Sequence, residues 1–152
     1  MSWIAGIAFT VAVVAAGSTG MLFPPGEYYQ RLRKPGWTPP NWAFPVGWTT
    51  LYILMVVGGL RLSSHAESSP WAADGLALWC AQISLNTLWT PVFFGLHKPG
   101  SALVVMGALI ATVSSLVWVS SSVDTLAVAC FVPYLCWILY AGSLNLFIFL
   151  NN

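Results

Sequence analysis

A chain of 152 residues that is 58% hydrophobic and only 6% charged, with a mean hydropathy of +0.78, lies far from the composition of a water-soluble domain, in which roughly a quarter of residues carry charge. It is the composition of an integral membrane protein, and at this length of one domain, residues 1–152. The net charge of +1 and the lack of any basic tract leave no footing for a nucleic-acid partner.

The first apolar run, 3–23, lacks the basic start of a secretory signal. At about 20 residues it is long enough to cross a hydrocarbon layer of roughly 30 Å, and it reads as a retained first helix. Four further runs of spanning length follow, at about 42–60, 72–96, 101–119 and 125–150. The predicted fold is therefore all-α, a bundle of five transmembrane helices with its termini on opposite sides. Ser69-Pro70 places a capping hydroxyl before a first-turn proline. Lys98-Pro99-Gly100 reads as a tight connection, and Asp124 as a carboxylate at a helix start.

The first connection, 24–41, reads PPGEYYQRLRKPGWTPPN and holds five prolines with Tyr28, Tyr29 and Trp37. Connections longer than about 12–15 residues in compact domains are usually lids or binding loops, and this one is predicted to cover a pocket. It also carries Arg31, Arg33 and Lys34. With Lys98 in the third connection, these outnumber Arg61 in the second, so the positive-inside rule places loops one and three and the C-terminus in the cytoplasm.

Small residues recur at four-residue spacing, Ala8, Ala12, Ala16 and Gly20 on the first helix and Ala77 and Ala81 on the third. Such ridges let helices approach closely in lipid, within the chain first and between two copies second. The three cysteines, Cys80, Cys130 and Cys136, form no CxxC pair and read as small buried hydrophobes, with no metal site. His65 and His97 fall in loops without the partners of a catalytic triad.

Three helices carry a stripe of aromatic and polar residues at three-and-four spacing. Trp48, Leu51, Tyr52 and Met55 share one face of the second helix. Asn86, Trp89, Thr90 and Phe93 share one of the third. Tyr134, Trp137, Ile138, Ala141 and Asn145 share one of the fifth. Tryptophans at segment ends, such as Trp3, Trp42 and Trp71, suit the interfacial belt. Trp137 does not, because 13 residues beyond Asp124 it lies about 20 Å along its helix. An unpaired polar group in hydrocarbon costs several kcal/mol, so the stripes are predicted to face inward and bond one another or a ligand. Pro45, Pro91 and Pro133 are expected to bend their helices and open a hollow between them. Flat aromatic walls without fixed charge suit a planar or polycyclic hydrophobe. Any ligand carboxylates would meet Arg31, Arg33 and Lys34 at the mouth. A dicarboxylic tetrapyrrole fits that description, and a sterol fits its apolar part.

Three segments in order carry a resemblance: KPGWTPPNWAFPVGWTTLY at 34–52, QISLNTLWTPVFFG at 82–95 and VPYLCWILYAGSLN at 132–145. They resemble the translocator protein/tryptophan-rich sensory protein family, also called peripheral-type benzodiazepine receptors, over nearly the whole chain. The resemblance implies a five-helix bundle, commonly a homodimer, with a pocket beneath the first loop. It implies a receptor or carrier for protoporphyrin IX and related tetrapyrroles, regulating their traffic or a stress response, with no cofactor required. By motif position, Trp48, Asn86, Trp89, Trp137 and Ala141 look like pocket residues, joined by Tyr52, Phe93 and Tyr134 as walls and by Trp37 in the lid.

Two further activities are implied. One is light-dependent oxidative breakdown of bound porphyrin, in which Trp48 and Trp137 match the two tryptophans implicated in some bacterial members. Without ordinary catalytic machinery, that reading ranks below simple binding. The other is sterol or lipid transport. Animal members carry a leucine–tyrosine–arginine sterol pattern late in the fifth helix, whereas this chain reads LNLFIFLNN at 144–152, with no tyrosine or basic residue. A formal match at Leu22, Tyr28 and Arg31 is of a pattern too loose to carry weight.

Overall fold

The computed structural model describes residues 3–152. Five long helices and one short one form an all-α bundle: α1 (Trp3–Leu22), α2 (Glu27–Arg31), α3 (Ala43–Ser64), α4 (Pro70–Thr90), α5 (Pro99–Ser121) and α6 (Thr125–Asn151). A π-helical turn, Pro91–Gly95, continues α4. The helix α1 packs on α3 and α4, α3 packs on α6, and α5 lies against both α4 and α6.

Four helices, α1, α3, α5 and α6, are long and apolar enough to cross a membrane. The helix α4 has the length, but Asp74, Gln82, Ser84, Asn86 and Thr87 lower its hydropathy. Its most polar inward side chains, Gln82 and Asn86, are buried at 0% and 5% exposure. Its polarity thus belongs in good part to the bundle interior, which is why a hydropathy average under-reads it as a span.

The half of the bundle away from the first loop is solid. Met55 and Leu62 of α3, Trp79 of α4, Leu116 of α5 and Phe131 of α6 are nearly or wholly buried there. The Trp79 indole donates to the Met55 carbonyl at 2.9 Å. Close backbone approach depends on glycine, because a Cβ on Gly58 would lie 2.5 Å from the Phe131 ring. In lipid, tight van der Waals fit of this kind replaces the hydrophobic effect as the force between helices.

Several sequence expectations change in detail. Pro45 sits in the first turn of α3, where backbone N–H groups have no helical partner, so it breaks no hydrogen bond and kinks nothing. Pro91 opens the π turn, and Pro133 alone lies inside a long helix. Ser69 precedes α4 in extended conformation, but its hydroxyl makes no capping bond. The lid is not structureless, since it contains α2. Only Cys130 is buried; Cys80 and Cys136 face outward. On α4, Ala77 and Ala81 also face outward and do not serve packing within the chain. On α1, Ala16 is buried, whereas Ala8 and Gly20 are exposed.

Asp124 does cap α6, accepting from the Ala127 N–H at 2.9 Å. Its other oxygen accepts from Arg61 Nε at 3.2 Å and Nη2 at 2.5 Å, with His65 Nε2 at 3.8 Å. This pair ties the end of α3 to the start of α6. The Arg61 hydrogen bonds, opposed by burial and helped by the Ala127 N–H, hold the Asp124 carboxyl below the usual carboxylate range. A depressed folded-state pKa contributes stability that is present above the unfolded value of about 4 and lost as pH falls through the folded one. Asp124→Asn is therefore expected to lower the melting temperature at pH 7. The difference from the parent should shrink as both are acidified below about pH 4, as melts across pH would show.

Candidate ligand cavity

The half of the bundle beneath the first loop is hollow. A cavity of about 680 Å³ opens between α1, α3, α4 with its π turn, α5, α6 and the lid, within the 300–1,000 Å³ of typical small-molecule sites. Of the residues expected in the pocket, Trp48, Tyr52, Asn86, Trp89, Phe93, Trp137 and Ala141 all line it. No lysine, arginine, histidine, aspartate or glutamate is among the lining residues.

Local sequence explains the arrangement of the walls. On α3, Trp48 and Tyr52 are one turn apart, and their rings stack at 5.6 Å with a 30° interplanar angle. On α4, Trp89 stacks on Phe93 at 5.0 Å and 19°. The π turn adds Phe94, edge-on to Phe93 at 4.8 Å. Its wider register lets both phenylalanines reach the cavity, which straight α-helical projection does not suggest; such turns are frequent at functional sites. On α6, Trp137 stands edge-to-face to Trp48 at 6.2 Å and 79°.

Two asparagines fix these rings across helices. Tyr52 donates to Asn86 Oδ1 at 3.1 Å, and Asn86 Nδ2 donates to the Tyr134 hydroxyl at 3.1 Å, linking α3, α4 and α6. The Trp89 indole donates to Asn145 Oδ1 at 3.0 Å, and Asn145 Nδ2 donates to the Pro99 carbonyl at 2.9 Å. Tyr134 is wholly buried and does not line the cavity; it stands behind Asn86 as its support. Asn145 lines the cavity but was not singled out as a pocket residue from sequence. Its place one turn beyond Ala141 on the α6 stripe is the signal that could have found it. Trp137 departs from expectation, because its buried indole nitrogen has no hydrogen-bond acceptor among the described residues.

The lid contributes differently from the sequence expectation. Arg31, Arg33, Lys34 and Trp37 do not line the cavity; Phe23, Pro25, Tyr29 and Asn41 do. Arg31 pairs with Glu27 at 2.6 Å on the outer surface. Arg33 is exposed, and its backbone is bonded by Asn152. Trp37 packs edge-on to Phe147, and its carbonyl accepts from Tyr140. Lys34 is nearest the interior. Its ammonium donates to the Tyr29 carbonyl at 2.6 Å and lies 4.4 Å over the Tyr29 ring. Burial, with Tyr140 adding to it, raises the Tyr29 phenol and keeps it neutral. His97 takes a left-handed turn at φ 55° and stacks on Tyr28 at 4.0 Å.

Glycine lets the Trp137 ring lie close against α3. A Cβ on Gly47 would lie 2.7 Å from the Trp137 benzo edge. Gly47→Ala is expected to drive that ring toward the cavity and cost about 1–3 kcal/mol, the usual range for overpacking. Thermal unfolding and a shifted tryptophan emission spectrum would both report it.

The profile of the TspO/MBR family matches residues 7–150. Among curated proteins, the chain is 47% identical over 137 residues to Protein CrtK of Rhodobacter capsulatus, covering 90% of this chain and 86% of that one. It is 41% identical to the Tryptophan-rich sensory protein of Cereibacter sphaeroides, covering 95% and 89%. It is 34% identical to the human Translocator protein, covering 99% and 91%.

Proposed function

This chain belongs to the TspO/MBR family of five-span membrane bundles, and from that premise we propose that it is a receptor or carrier for porphyrins and similar flat hydrophobic molecules. It is a multi-pass integral membrane protein. The observation that carries the reading is the 680 Å³ cavity walled by Trp48, Trp89, Phe93 and Trp137 with no ionised side chain. Stacked and edge-on rings give a planar ligand large contact area, and the two internally satisfied asparagines leave few polar demands for it to meet. Protoporphyrin IX is the ligand class we favour, bound as a ligand and not as a cofactor. Loops one and three face the cytoplasm in this reading. The outward small residues of α4, Ala73, Ala77 and Ala81, support a homodimer through close helix contact.

The mouth gives the test. Arg31 is paired with Glu27 on the outer surface and Arg33 is exposed, so Lys34, whose ammonium lies over the cavity-lining Tyr29 ring, is the cation for a ligand carboxylate. Lys34→Gln is expected to weaken protoporphyrin IX by about tenfold, about 1.4 kcal/mol, and to leave an uncharged isoquinoline unaffected. Equal losses for both ligands would remove the carboxylate contact. No measurable binding of either would remove the receptor reading.

A second reading has one specific observation behind it. Trp48 and Trp137 meet in the same wall at 6.2 Å, where a photoexcited porphyrin would find an oxidisable partner. Illuminating the purified protein with protoporphyrin IX separates the two. A new chromophore that requires the protein supports degradation, and a spectral shift alone supports binding. Sterol transport has no comparable support, since α6 offers no tyrosine or cation beyond Leu144.

A further inference from the structure

Between α1 and α3 the cavity reaches the outer surface, where its lining residues Gly20, Met21, Pro45 and Thr49 are exposed. In the solid half these helices touch, since a Cβ on Gly59 would meet Phe9 at 3.2 Å, and they still touch within the cavity wall, where one on Gly17 would meet the Tyr52 ring at 3.2 Å. One turn further toward the lid, a Cβ on Gly20 would meet nothing within 4 Å. Met21 lines the cavity although it is 79% exposed. On the facing helix, Pro45 and Thr49 line the cavity and also a shallow outer groove shared with Val46 and Thr50. The same side chains thus look both inward and outward. No side-chain hydrogen bond joins α1 to α3 among the described residues.

The lid, in contrast, is fastened on several sides. Both the N–H and the carbonyl of Arg33 are paired with the Asn152 side chain, at 2.8 and 3.2 Å. Tyr140 donates to the Trp37 carbonyl at 2.7 Å. Tyr28 stacks on His97, and Tyr29 lies edge-on to Phe93 and Phe94. Lifting the lid breaks these contacts together, whereas at the Gly20 end of the α1–α3 seam a Cβ would meet nothing within 4 Å and no side-chain hydrogen bond has to break among the described residues. Thr49 lies six residues into α3, about 9 Å along its axis, so the seam opens onto acyl chains near the headgroups.

We propose that the gap at Gly20–Met21 and Pro45–Thr49 is the passage through which ligands move between the hydrocarbon layer and the cavity. The inference rests on the ligand reading above and deepens it. A membrane-dissolved amphiphile enters edge-first, with its ring plane along the acyl chains and its carboxylates at headgroup level on the Lys34 side.

The test uses the full chain in lipid nanodiscs, with protoporphyrin IX in the lipid and tryptophan quenching followed in time. A seam-filled variant, Gly20→Leu with Thr49→Leu, is expected to slow association and dissociation both, each by about tenfold. Tyr140→Phe, which frees the lid at Trp37, is expected to keep both parent rates. Parent rates in the seam-filled variant, or faster exchange in Tyr140→Phe, would overturn the proposal. So would an affinity loss through faster dissociation alone, which would make these residues wall contacts only.

A second measurement needs no porphyrin. Brominated acyl chains are expected to quench the Trp48 emission, identified by difference from Trp48→Phe, and to do so less in the seam-filled variant. If protoporphyrin IX does not bind the parent chain, the ligand reading fails, and bromolipid quenching alone decides the passage. Quenching unchanged by filling the seam would refute it.

Discussion

Asn86→Leu is expected to destabilise the bundle by about 2 kcal/mol and to loosen the cavity wall. The asparagine joins three helices, accepting from Tyr52 and donating to Tyr134. In membrane proteins an interhelical hydrogen bond averages about 0.6 kcal/mol and reaches about 1.7, so the two bonds alone account for only part of the effect. The rest comes from Tyr134, which is wholly buried and would keep a hydroxyl with no partner; such an orphan costs about 1–3 kcal/mol. Adding Tyr134→Phe to Asn86→Leu removes the orphan and should recover part of the loss, as unfolding in a denaturing detergent would reveal. A double variant that is weaker by the full sum of the two single effects would show that the hydroxyl has another role.

Ala141→Phe is expected to abolish high-affinity binding while barely changing stability. Ala141 lies one helical turn from both Trp137 and Asn145 and lines the cavity with them. A phenyl group there projects into open volume, so the overpacking penalty of a filled core does not apply. The ligand loses the space instead. Affinity should fall by at least a hundredfold, about 2.7 kcal/mol, with stability altered by less than about 1 kcal/mol. Titration and melting on one sample separate the two quantities. Retained affinity would place the ligand elsewhere.

Much of this architecture was legible in the chain because lipid imposes blunt rules. A run of about 20 apolar residues spans, and a polar side chain in its middle turns inward. On those rules the stripes through Trp48, Asn86 and Trp137 converge, and in the structure they do meet around one hollow. The departures come where three-dimensional packing, not periodicity, decides. The π turn at Pro91 shifts register and brings Phe94 beside Phe93. Arg61 had seemed a lone loop charge, but it reaches Asp124, 63 residues away in sequence. The lid cations were grouped by composition, yet Glu27 takes Arg31 outward and only Lys34 stays near the interior. Cys80 and Ala81, small residues expected inside, lie on the outward face of α4, whose rotation is set by packing.

One flat hydrophobic molecule occupies the hollow beneath the lid, in this account, among the rings of Trp48, Trp89, Phe93 and Trp137. The most direct measurement is a titration of the purified chain with protoporphyrin IX, reading tryptophan emission against ligand per chain in parallel for the parent and Ala141→Phe. Quenching should saturate near one ligand per chain in the parent and lose its saturable part in Ala141→Phe. Quenching that rises without saturation, or is the same in both proteins, would contradict the account.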